Sequence, residues 1–349
     1  MTTRENSRAR LLVRIAVAAG VALLALAATA SADPPPAAVG TTAHGFLVER
    51  GVLTSIDHPA ATTAPATPNG QAGTATLGIN DRGQILGLYE ARDGVVHHFV
   101  LDRKGRFTDI PAPRTRPPGQ SDELVDINNR GEIVGFYNDD QGATTTGFLR
   151  TRRGRFVNID VPGSQVTGPL KINDRGQVAG ISVDGDGALH GFVRTGQRYE
   201  TIDVPDAVAT AVLGINDRGQ TVGSWIDADG SYHGFVRDRD GTVTTLPQAP
   251  GSNPAGGGTQ PTSINDRGQI VGLVDDAQGG SRAFRYEHGR YTLFDGTPRA
   301  AYTRASDINN KGEIVGDYGT TSTPSSWPAQ RAGRRSGVPP TGFEPVLRP

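Results

Sequence analysis

The sequence contains no cysteine, a single methionine and few aromatic residues, which make up 6% of its 349 positions. Without cysteine no disulfide framework can form, so the folded chain must be stabilised by packing alone. Glycine and proline are abundant instead, with 47 and 24 residues. Because both residue types disfavour helices and favour tight turns, we expect no long helix beyond the N-terminal segment and predict an all-β protein.

Long apolar runs are also absent, apart from one near the N-terminus. This run covers residues 15–30, follows an arginine-rich stretch and ends in Ala30-Ser31-Ala32. A basic region, an apolar region and small residues before a cleavage point are the three parts of a secretory signal. We therefore predict a signal peptide over residues 1–32, with a permanent membrane anchor as the weaker alternative. The mature protein is expected to be extracellular or periplasmic, without a stable membrane span, and monomeric.

A large excess of positive charge is absent as well. The formal net charge is −1, and removal of the arginine-rich N-terminal segment would leave the mature chain acidic. No basic cluster outside the two termini is long enough to provide the electrostatic footprint of a nucleic-acid-binding protein. We expect no nucleic acid partner.

One short segment, INDRGQIVG at residues 264–272, recurs in near-copies through the chain. The copies lie about 45 residues apart and begin at Ile79, Ile127, Ile172, Ile215, Ile264 and Ile308. Within each copy Asn favours a turn through side-chain to backbone hydrogen bonds, and Gly supplies the positive φ of a short hairpin with a bulge. The segment is therefore predicted to be a turn rather than a binding site. A strand-rich repeat of this length is typical of propeller blades.

Each repeat predicts four strands. The first is a run of small residues that ends at the Ile, as in residues 210–215, and the turn leads into the second, as in residues 84–89. The third is a His-Gly-Phe-Val-Arg type segment, as in residues 190–194. The fourth is an Arg-Phe-Thr-Asp-Ile type segment, as in residues 106–110, and apolar residues alternate in both.

The two ends of the array complement each other. Residues 44–57 predict a third and a fourth strand, and residues 306–319 predict a first and a second strand. Pairing of these halves would close a β-propeller of six four-stranded blades without exposed sheet edges. A seven-bladed ring with one degenerate blade and an open β array are the alternatives. We assign residues 33–43 to a linker, 44–319 to the propeller and 320–349 to a disordered tail.

The two recurring segments resemble those of the HAF-repeat family of probable extracellular bacterial proteins. That family is named for a His-Ala/Gly-Phe segment that recurs with an Ile-Asn-x-x-Gly segment, and both recur in order here over about residues 44–319. The resemblance implies secretion and a β-propeller-like fold, with no established activity and no catalytic residues to transfer. The His is replaced by Thr146 and Arg282 in two repeats, which argues against a role that needs this His in every blade.

The variable face of the predicted propeller is the expected place for binding. The loops between second and third strands and the links between blades share this face, and the links at residues 111–122 and 247–261 are long. Two positions after the last Gly of the repeat segment, four blades have an aromatic residue that could stack on a sugar ring or a peptide. These predicted binding residues are Tyr89, Tyr137, Trp225 and Tyr318. Packing between neighbouring blades is the alternative explanation.

Two polar patterns could suggest metal sites, but neither supports one. The recurring histidines begin the third strands, too far from the axis for ligand distances of about 2 Å, and we expect each to bond to neighbouring backbone; they are His44, His97, His190 and His233. The loops at residues 184–187 and 227–230 each offer two carboxylates, fewer than the roughly six to eight oxygens that Ca²⁺ takes. We predict no metal and no cofactor.

No nucleophile elbow, phosphate loop or paired-carboxylate motif is present. Propeller enzymes can gather acids from separate blades, and Asp122, Glu123 and Asp307 could do so, unless they are ordinary surface acids. We predict that the protein is not an enzyme but a secreted binding or structural module for a polysaccharide or a protein. The alternatives are a secreted polysaccharide hydrolase or lyase, and a truncated array that binds nothing.

Overall fold

The computed structural model describes residues 41–63, 72–111, 121–138, 145–298 and 300–321. The predicted signal peptide and residues 322–349 of the predicted tail lie outside these ranges. Apart from one short 3-10 turn, Pro254–Gly256, every regular element in the described ranges is a strand. The prediction of an all-β propeller is confirmed. No helix of the described residues has the length and apolar character needed to cross a membrane.

The strands, numbered β1 to β24 along the chain, form six antiparallel units of four strands. The first strands are β3 (Ala72–Ile79), β7 (Ser121–Ile127), β11 (Val166–Ile172), β15 (Ala209–Ile215), β19 (Thr259–Ile264) and β23 (Ala300–Ile308). The second strands are β4 (Ile85–Glu90), β8 (Ile133–Asn138), β12 (Val178–Val183), β16 (Thr221–Ile226), β20 (Ile270–Asp275) and β24 (Ile314–Thr321).

The third and fourth strands complete each unit. The third strands are β5 (Val96–Leu101), β9 (Thr145–Arg150), β13 (Leu189–Thr195), β17 (Tyr232–Arg237), β21 (Ser281–Glu287) and β1 (Thr41–Glu49). The fourth strands are β6 (Phe107–Ile110), β10 (Phe156–Ile159), β14 (Arg198–Ile202), β18 (Val243–Thr245), β22 (Arg290–Phe294) and β2 (Val52–Ile56). Units 1 to 5 follow chain order from β3 to β22, and unit 6 contains β23, β24, β1 and β2.

Unit 6 joins strands from opposite ends of the described chain. β24 pairs antiparallel with β1 from Thr321 opposite Thr41 to Ile314 opposite Val48, and β2 pairs with the other edge of β1. β1 begins before the predicted start at residue 44, and β24 continues past the predicted end at residue 319. The first two residues assigned to the tail therefore belong to this sheet.

A glycine and a phenylalanine on adjacent strands form the core of each unit. In unit 2, Gly135 is the last residue of the repeat segment and lies opposite Phe148 on the third strand. A Cβ atom added at Gly135 would collide with the carbonyl of Glu123 on the first strand and would lie 2.8 Å from the Phe148 ring. The equivalent phenylalanines are all buried: Phe46, Phe99, Phe148, Phe192, Phe235 and Phe284. The two recurring segments thus depend on each other, because the glycine makes room for the ring.

A threonine near the start of the first strand joins consecutive units. Thr167 Oγ1 accepts a hydrogen bond of 3.0 Å from the backbone N–H of Val161, and Thr210 Oγ1 accepts one of 3.0 Å from Val204. In both cases the donor lies on the link that leaves the preceding unit. Because a buried N–H needs an acceptor, these threonines fix how each link enters the next first strand.

Candidate functional site

The six repeat turns are joined by a continuous circuit of hydrogen bonds. In each turn the first asparagine donates from Nδ2 to the backbone carbonyl of its equivalent in the next unit, at 2.9 to 3.2 Å. This asparagine ring consists of Asn80, Asn128, Asn173, Asn216, Asn265 and Asn309, and Asn309 donates back to Asn80. Each Oδ1 also accepts two N–H groups of its own turn, as Asn173 does from Arg175 and Gln177. The asparagine therefore shapes its own turn and holds the next one.

The residue after each ring asparagine forms a second circuit. Its backbone N–H donates to a side-chain Oδ1 in the next unit at 2.7 to 2.9 Å. The members are Asp81, Asn129, Asp174, Asp217, Asp266 and Asn310. Burial and the neighbouring charge of Asp174 raise the pKa of Asp217. Within the described ranges no group of His, Asp and Glu side chains has an arrangement that could hold a metal ion.

Three charged side chains meet in the central channel, which the ends of the six first strands line next to the asparagine ring. Each first strand has a bulge just before its final isoleucine, and Asp126, Lys171 and Asp307 line the channel at this level. Lys171 Nζ lies 2.9 Å from Asp307 Oδ1 and 3.6 Å from Asp126 Oδ1, and all three residues are buried. Burial lowers the pKa of Lys171, but the two carboxylates outweigh it and raise that pKa. These contacts make the channel a packed polar core.

The three acids weighed as catalytic candidates do not converge on one point. Asp307 is bound by Lys171, and its Oδ2 accepts the N–H of Ile79 at 2.7 Å. Asp122 and Glu123 lie at the opposite end of the first strand, about 10 Å from the level of the channel charges at about 3.3 Å per residue. As consecutive residues of one strand they point to opposite faces. The enzyme alternative gains no support from these acids.

Glu123 nevertheless occupies an unusual environment beside a buried histidine. His98 takes the position that is glycine in four of the other five third strands and Ala283 in unit 5, and its Nε2 lies 3.9 Å from Glu123 Oε2. That Nε2 accepts the backbone N–H of Leu124 at 3.2 Å, so His98 is neutral. Burial lowers the pKa of His98 to about 4, whereas burial and the charge of Asp122 raise the pKa of Glu123 to about 7.

The four predicted binding aromatics differ in exposure. Tyr89, Tyr137 and Tyr318 are each only 4% exposed, whereas Trp225 is half-buried. The Tyr318 hydroxyl lies 2.6 Å from Ser55 Oγ. The Tyr89 ring stacks on the ring of His58, and the two ring centroids are 3.7 Å apart. The three tyrosines therefore pack inside the protein, and Trp225 is the one of the four that remains partly accessible.

The recurring aromatic and the recurring histidine are cross-strand partners. Tyr318 lies opposite His44, and Trp225 lies opposite His233. The rings stack, with centroids 5.2 Å apart for the first pair and 4.3 Å apart for the second. The sequence alone does not connect these two positions, but antiparallel pairing places them side by side on one face of the sheet.

The expectation that these histidines bond to neighbouring backbone is wrong for His44, His190 and His233, whose partners are carboxylates. His44 Nδ1 lies 2.8 Å from Asp57 Oδ1, and His233 Nε2 lies 2.8 Å from Asp227 Oδ2. The carboxylates come from the end of the fourth strand or from the loop before the third strand, and both places are adjacent to the histidine ring. An ionised acceptor forms a stronger hydrogen bond than a backbone carbonyl.

The aspartates of the loops between second and third strands accept hydrogen bonds from the backbone of their own loops. Asp184 Oδ1 accepts the backbone N–H groups of Asp186 and Ala188, both at 2.9 Å. Its Oδ2 lies 3.3 Å from His190 Nε2. The backbone hydrogen bond from Ala188 is the main cause that lowers the pKa of Asp184. These contacts are those of an ordinary hairpin turn.

A cleft of about 560 Å³ opens between units 3 and 4 beside Trp225. Asp203 and Pro205 line it from the link that leaves unit 3, and Trp225, Arg237 and Val243 line it from unit 4. Asp203 is held by His190 at 2.9 Å, and the pKa of His190 is raised because its hydrogen bonds to carboxylates outweigh burial, which lowers it. The cleft therefore combines an indole with fixed charged groups.

The cleft lies where unit 4 lacks an aromatic residue that units 1, 2, 3 and 5 have on the fourth strand, whereas unit 6 has Leu53 at this position. The first residue of the fourth strand is aromatic in units 1 and 2, where Phe107 and Phe156 pack against the core phenylalanine of their unit with ring centroids 5.1 and 5.2 Å apart. Tyr199 and Tyr291 do the same in units 3 and 5. Val243 takes this place in unit 4. A smaller side chain leaves unfilled volume next to Trp225.

Sequence reasoning identified Trp225 but missed the residues around it. The available signal was the fourth strand itself, since alignment of the repeats shows a valine where most units have an aromatic residue. Asp203 and Arg237 could not be identified in this way, because they belong to different repeats and come together only when the units pack.

No protein-family model and no curated protein sequence matches this chain. Among solved structures, a putative TolB from Agrobacterium tumefaciens is similar over 81% of this chain and 99% of its own, with 10% identity and a TM-score of 0.54. TolB from Acinetobacter baumannii is similar over 87% of this chain and 69% of its own, with 9% identity and a TM-score of 0.49. The fucose-specific lectin from Aleuria aurantia covers 83% of this chain and 98% of its own, with 10% identity and a TM-score of 0.43.

Proposed function

We propose that this protein is an exported carbohydrate-binding propeller and that the cleft beside Trp225 is its binding site. The observation that carries the proposal is the cleft itself, which the replacement of an aromatic residue by Val243 opens next to a partly exposed indole. Its volume of about 560 Å³ lies within the range of roughly 300 to 1,000 Å³ that is usual for small-ligand sites.

The lining of the cleft suits a sugar ring. The apolar face of a pyranose packs on an indole, and its hydroxyl groups need donors and acceptors fixed around that face. Asp203 offers an acceptor, Arg237 offers donors, and Thr201 and Thr245 offer hydroxyl groups. Arg237 Nη2 also donates to Glu200 Oε1 at 2.5 Å. Because these partners hold the charged groups in place, little side-chain entropy would be lost on binding.

The test is a direct binding measurement against a panel of bacterial and plant polysaccharides and their oligosaccharides. We expect one glycan class to raise the thermal unfolding midpoint, since a ligand that binds only the folded state stabilises it. Calorimetric titration of that glycan should lose its signal in Val243→Phe, which places a ring where units 1 and 2 have Phe107 and Phe156. Trp225→Leu should weaken binding as well.

Phe156→Val is the matched control, because it exchanges the same two residue types at the same position of another unit. It should lower stability but leave glycan affinity unchanged. If Val243→Phe binds the glycan as well as the unmodified protein, the cleft is not the site. If no glycan of the panel shifts the unfolding midpoint or gives heat, the carbohydrate proposal fails.

A further inference from the structure

A ring of exposed cations surrounds the channel on the face of the repeat turns. The residue after each member of the second circuit is basic and exposed in all six units: Arg82, Arg130, Arg175, Arg218, Arg267 and Lys311. The residues just before them donate hydrogen bonds from unit to unit around the whole circuit. Because equivalent atoms are linked in this way, the six basic residues begin at one level along the axis and form a ring.

The turns between third and fourth strands lie on the same face and add further cations. Lys104, Arg152, Arg153, Arg198 and Arg239 are all exposed there. Some basic groups of this face have carboxylate partners, such as Arg130, which lies 2.6 Å from Glu132. In the described part of the chain Arg175, Arg218 and Lys311 form no ion pair with a carboxylate. No bonded carboxylate therefore neutralises their charge, although the charge of Arg175 also acts on the nearby Asp217.

The opposite face has the opposite charge. Its loops and links carry exposed carboxylates, among them Asp93, Asp186, Asp206 and Asp229. The formal net charge of −1 over the whole sequence therefore hides two charged faces of opposite sign. A protein with this distribution is oriented by a charged surface, because one face is attracted while the other is repelled.

We propose that the face of the repeat turns docks onto an anionic lipid surface. A ring of cations that begin at one level can approach a planar array of headgroup phosphates with all its members at once, whereas a linear polyanion could follow only part of the ring. The exposed large apolar residues among those described are Val52, Val95, Val96 and Val208. Only Val52 borders a turn of this face, and one valine offers little apolar surface for insertion. Binding is therefore electrostatic, without insertion, and weakens as salt rises.

The test uses co-sedimentation of the purified full chain with phosphatidylglycerol vesicles and with phosphatidylcholine vesicles. We expect binding to the anionic vesicles alone, and loss of that binding at high salt. The variant Arg175→Gln/Arg218→Gln/Lys311→Gln removes three unpaired cations but keeps the backbone N–H groups of the turns. Its vesicle affinity should fall roughly a hundredfold, at the contribution typical of a basic residue near an anionic membrane, while its unfolding midpoint is retained.

Asp186→Asn/Asp229→Asn is the control, because it makes the net charge more positive on the other face. Unchanged vesicle affinity supports a docking face, whereas tighter binding would show that net charge alone controls association and would overturn the proposal. Binding to soluble polygalacturonate but not to vesicles would replace the lipid surface with a linear polyanion. Val243→Phe should bind vesicles normally, so this result does not depend on the glycan cleft.

Discussion

Asn309 donates a hydrogen bond from Nδ2 to the backbone carbonyl of Asn80 at 3.1 Å, although the two residues are 229 positions apart. The same bond joins neighbouring repeats 43 to 49 positions apart. The last turn of the array is thus held to the first by the contact that holds every other pair of turns. The repeat segment, which the sequence explains as a hairpin turn, also provides the contact between units.

Removal of one ring asparagine should therefore lower the free energy of unfolding. Asn173→Ala would leave the N–H groups of Arg175 and Gln177 without partners. It would also remove one of the two hydrogen bonds to the carbonyl of Asn216, which keeps the one from the backbone of Gly219. Buried groups without partners cost about 1 to 3 kcal/mol each, and we expect the free energy of unfolding to fall by about 2 to 4 kcal/mol. Urea denaturation would measure this loss, with the exposed Asn158→Ala as control. Similar losses for the two variants would contradict a special role for the ring.

The buried charges in the channel give a second prediction. Lys171→Met would leave the carboxylates of Asp126 and Asp307 without their cation, and the free energy of unfolding should fall by about 3 to 5 kcal/mol. Addition of Asp126→Asn removes one of the two negative charges and should restore part of the loss. Urea denaturation of both variants is the measurement. If the double variant is less stable than Lys171→Met, the carboxylates of Asp126 and Asp307 do not destabilise the folded protein when Lys171 is absent.

The fold could be predicted from the sequence, but the site could be predicted only in part. Ile79, Asn80 and Gly83 lie in one hairpin, so their pattern reports local structure directly, and six copies of it define the repeat. The stacking of Trp225 on His233 depends on strand register, which a single repeat does not reveal. The same position in the repeat predicts Trp225 and the three tyrosines as binding residues, and only their burial in the fold distinguishes them.

The cleft shows why the other residues of the candidate site could not be predicted from the sequence. Asp203 and Arg237 belong to different repeats, and their meeting depends on how unit 3 packs on unit 4. The channel charges raise the same difficulty, because Lys171 pairs with Asp307 across 136 positions and neither residue recurs at its place in every unit. A repeat pattern reports what units share, whereas the site and the buried ion pairs are built from positions where the units differ.

The raised pKa of Glu123 predicts a pH dependence of stability. Its pKa of about 7 in the folded state lies above the value of about 4.3 for an unperturbed glutamate. The folded state therefore holds this proton more tightly, and Glu123 lowers stability progressively as pH rises from about 4.3 through 7. Glu123→Gln removes this loss. Partial exposure of the side chain limits the gain, which we expect to be about 1 to 2 kcal/mol at pH 8 and absent at pH 4.

Urea denaturation of the protein and of Glu123→Gln at both pH values would check this, with the exposed Glu49→Gln as control. A stability difference between the protein and Glu123→Gln that is the same at pH 4 and pH 8 would refute the raised pKa.

The explanation of the cleft predicts how two inverse substitutions change stability. Val243→Phe should fill part of the cleft with a ring that packs on Phe235, as Phe156 packs on Phe148 in unit 2. We expect the free energy of unfolding to stay the same or to rise by up to about 1 kcal/mol, since apolar area is buried in unfilled volume. Phe156→Val makes the reverse change and should cost about 1 to 3 kcal/mol through lost burial and the cavity that remains.

Thermal and urea unfolding of both variants would test the pair together. A marked loss of stability in Val243→Phe would mean that the ring does not fit, and that the cleft is not the space left by a missing aromatic side chain. Equal stability of Phe156→Val and the unmodified protein would mean that this position does not contribute to the core of unit 2. The predicted asymmetry, a tolerated gain at Val243 and a costly loss at Phe156, follows only if unit 4 lacks packing that unit 2 has.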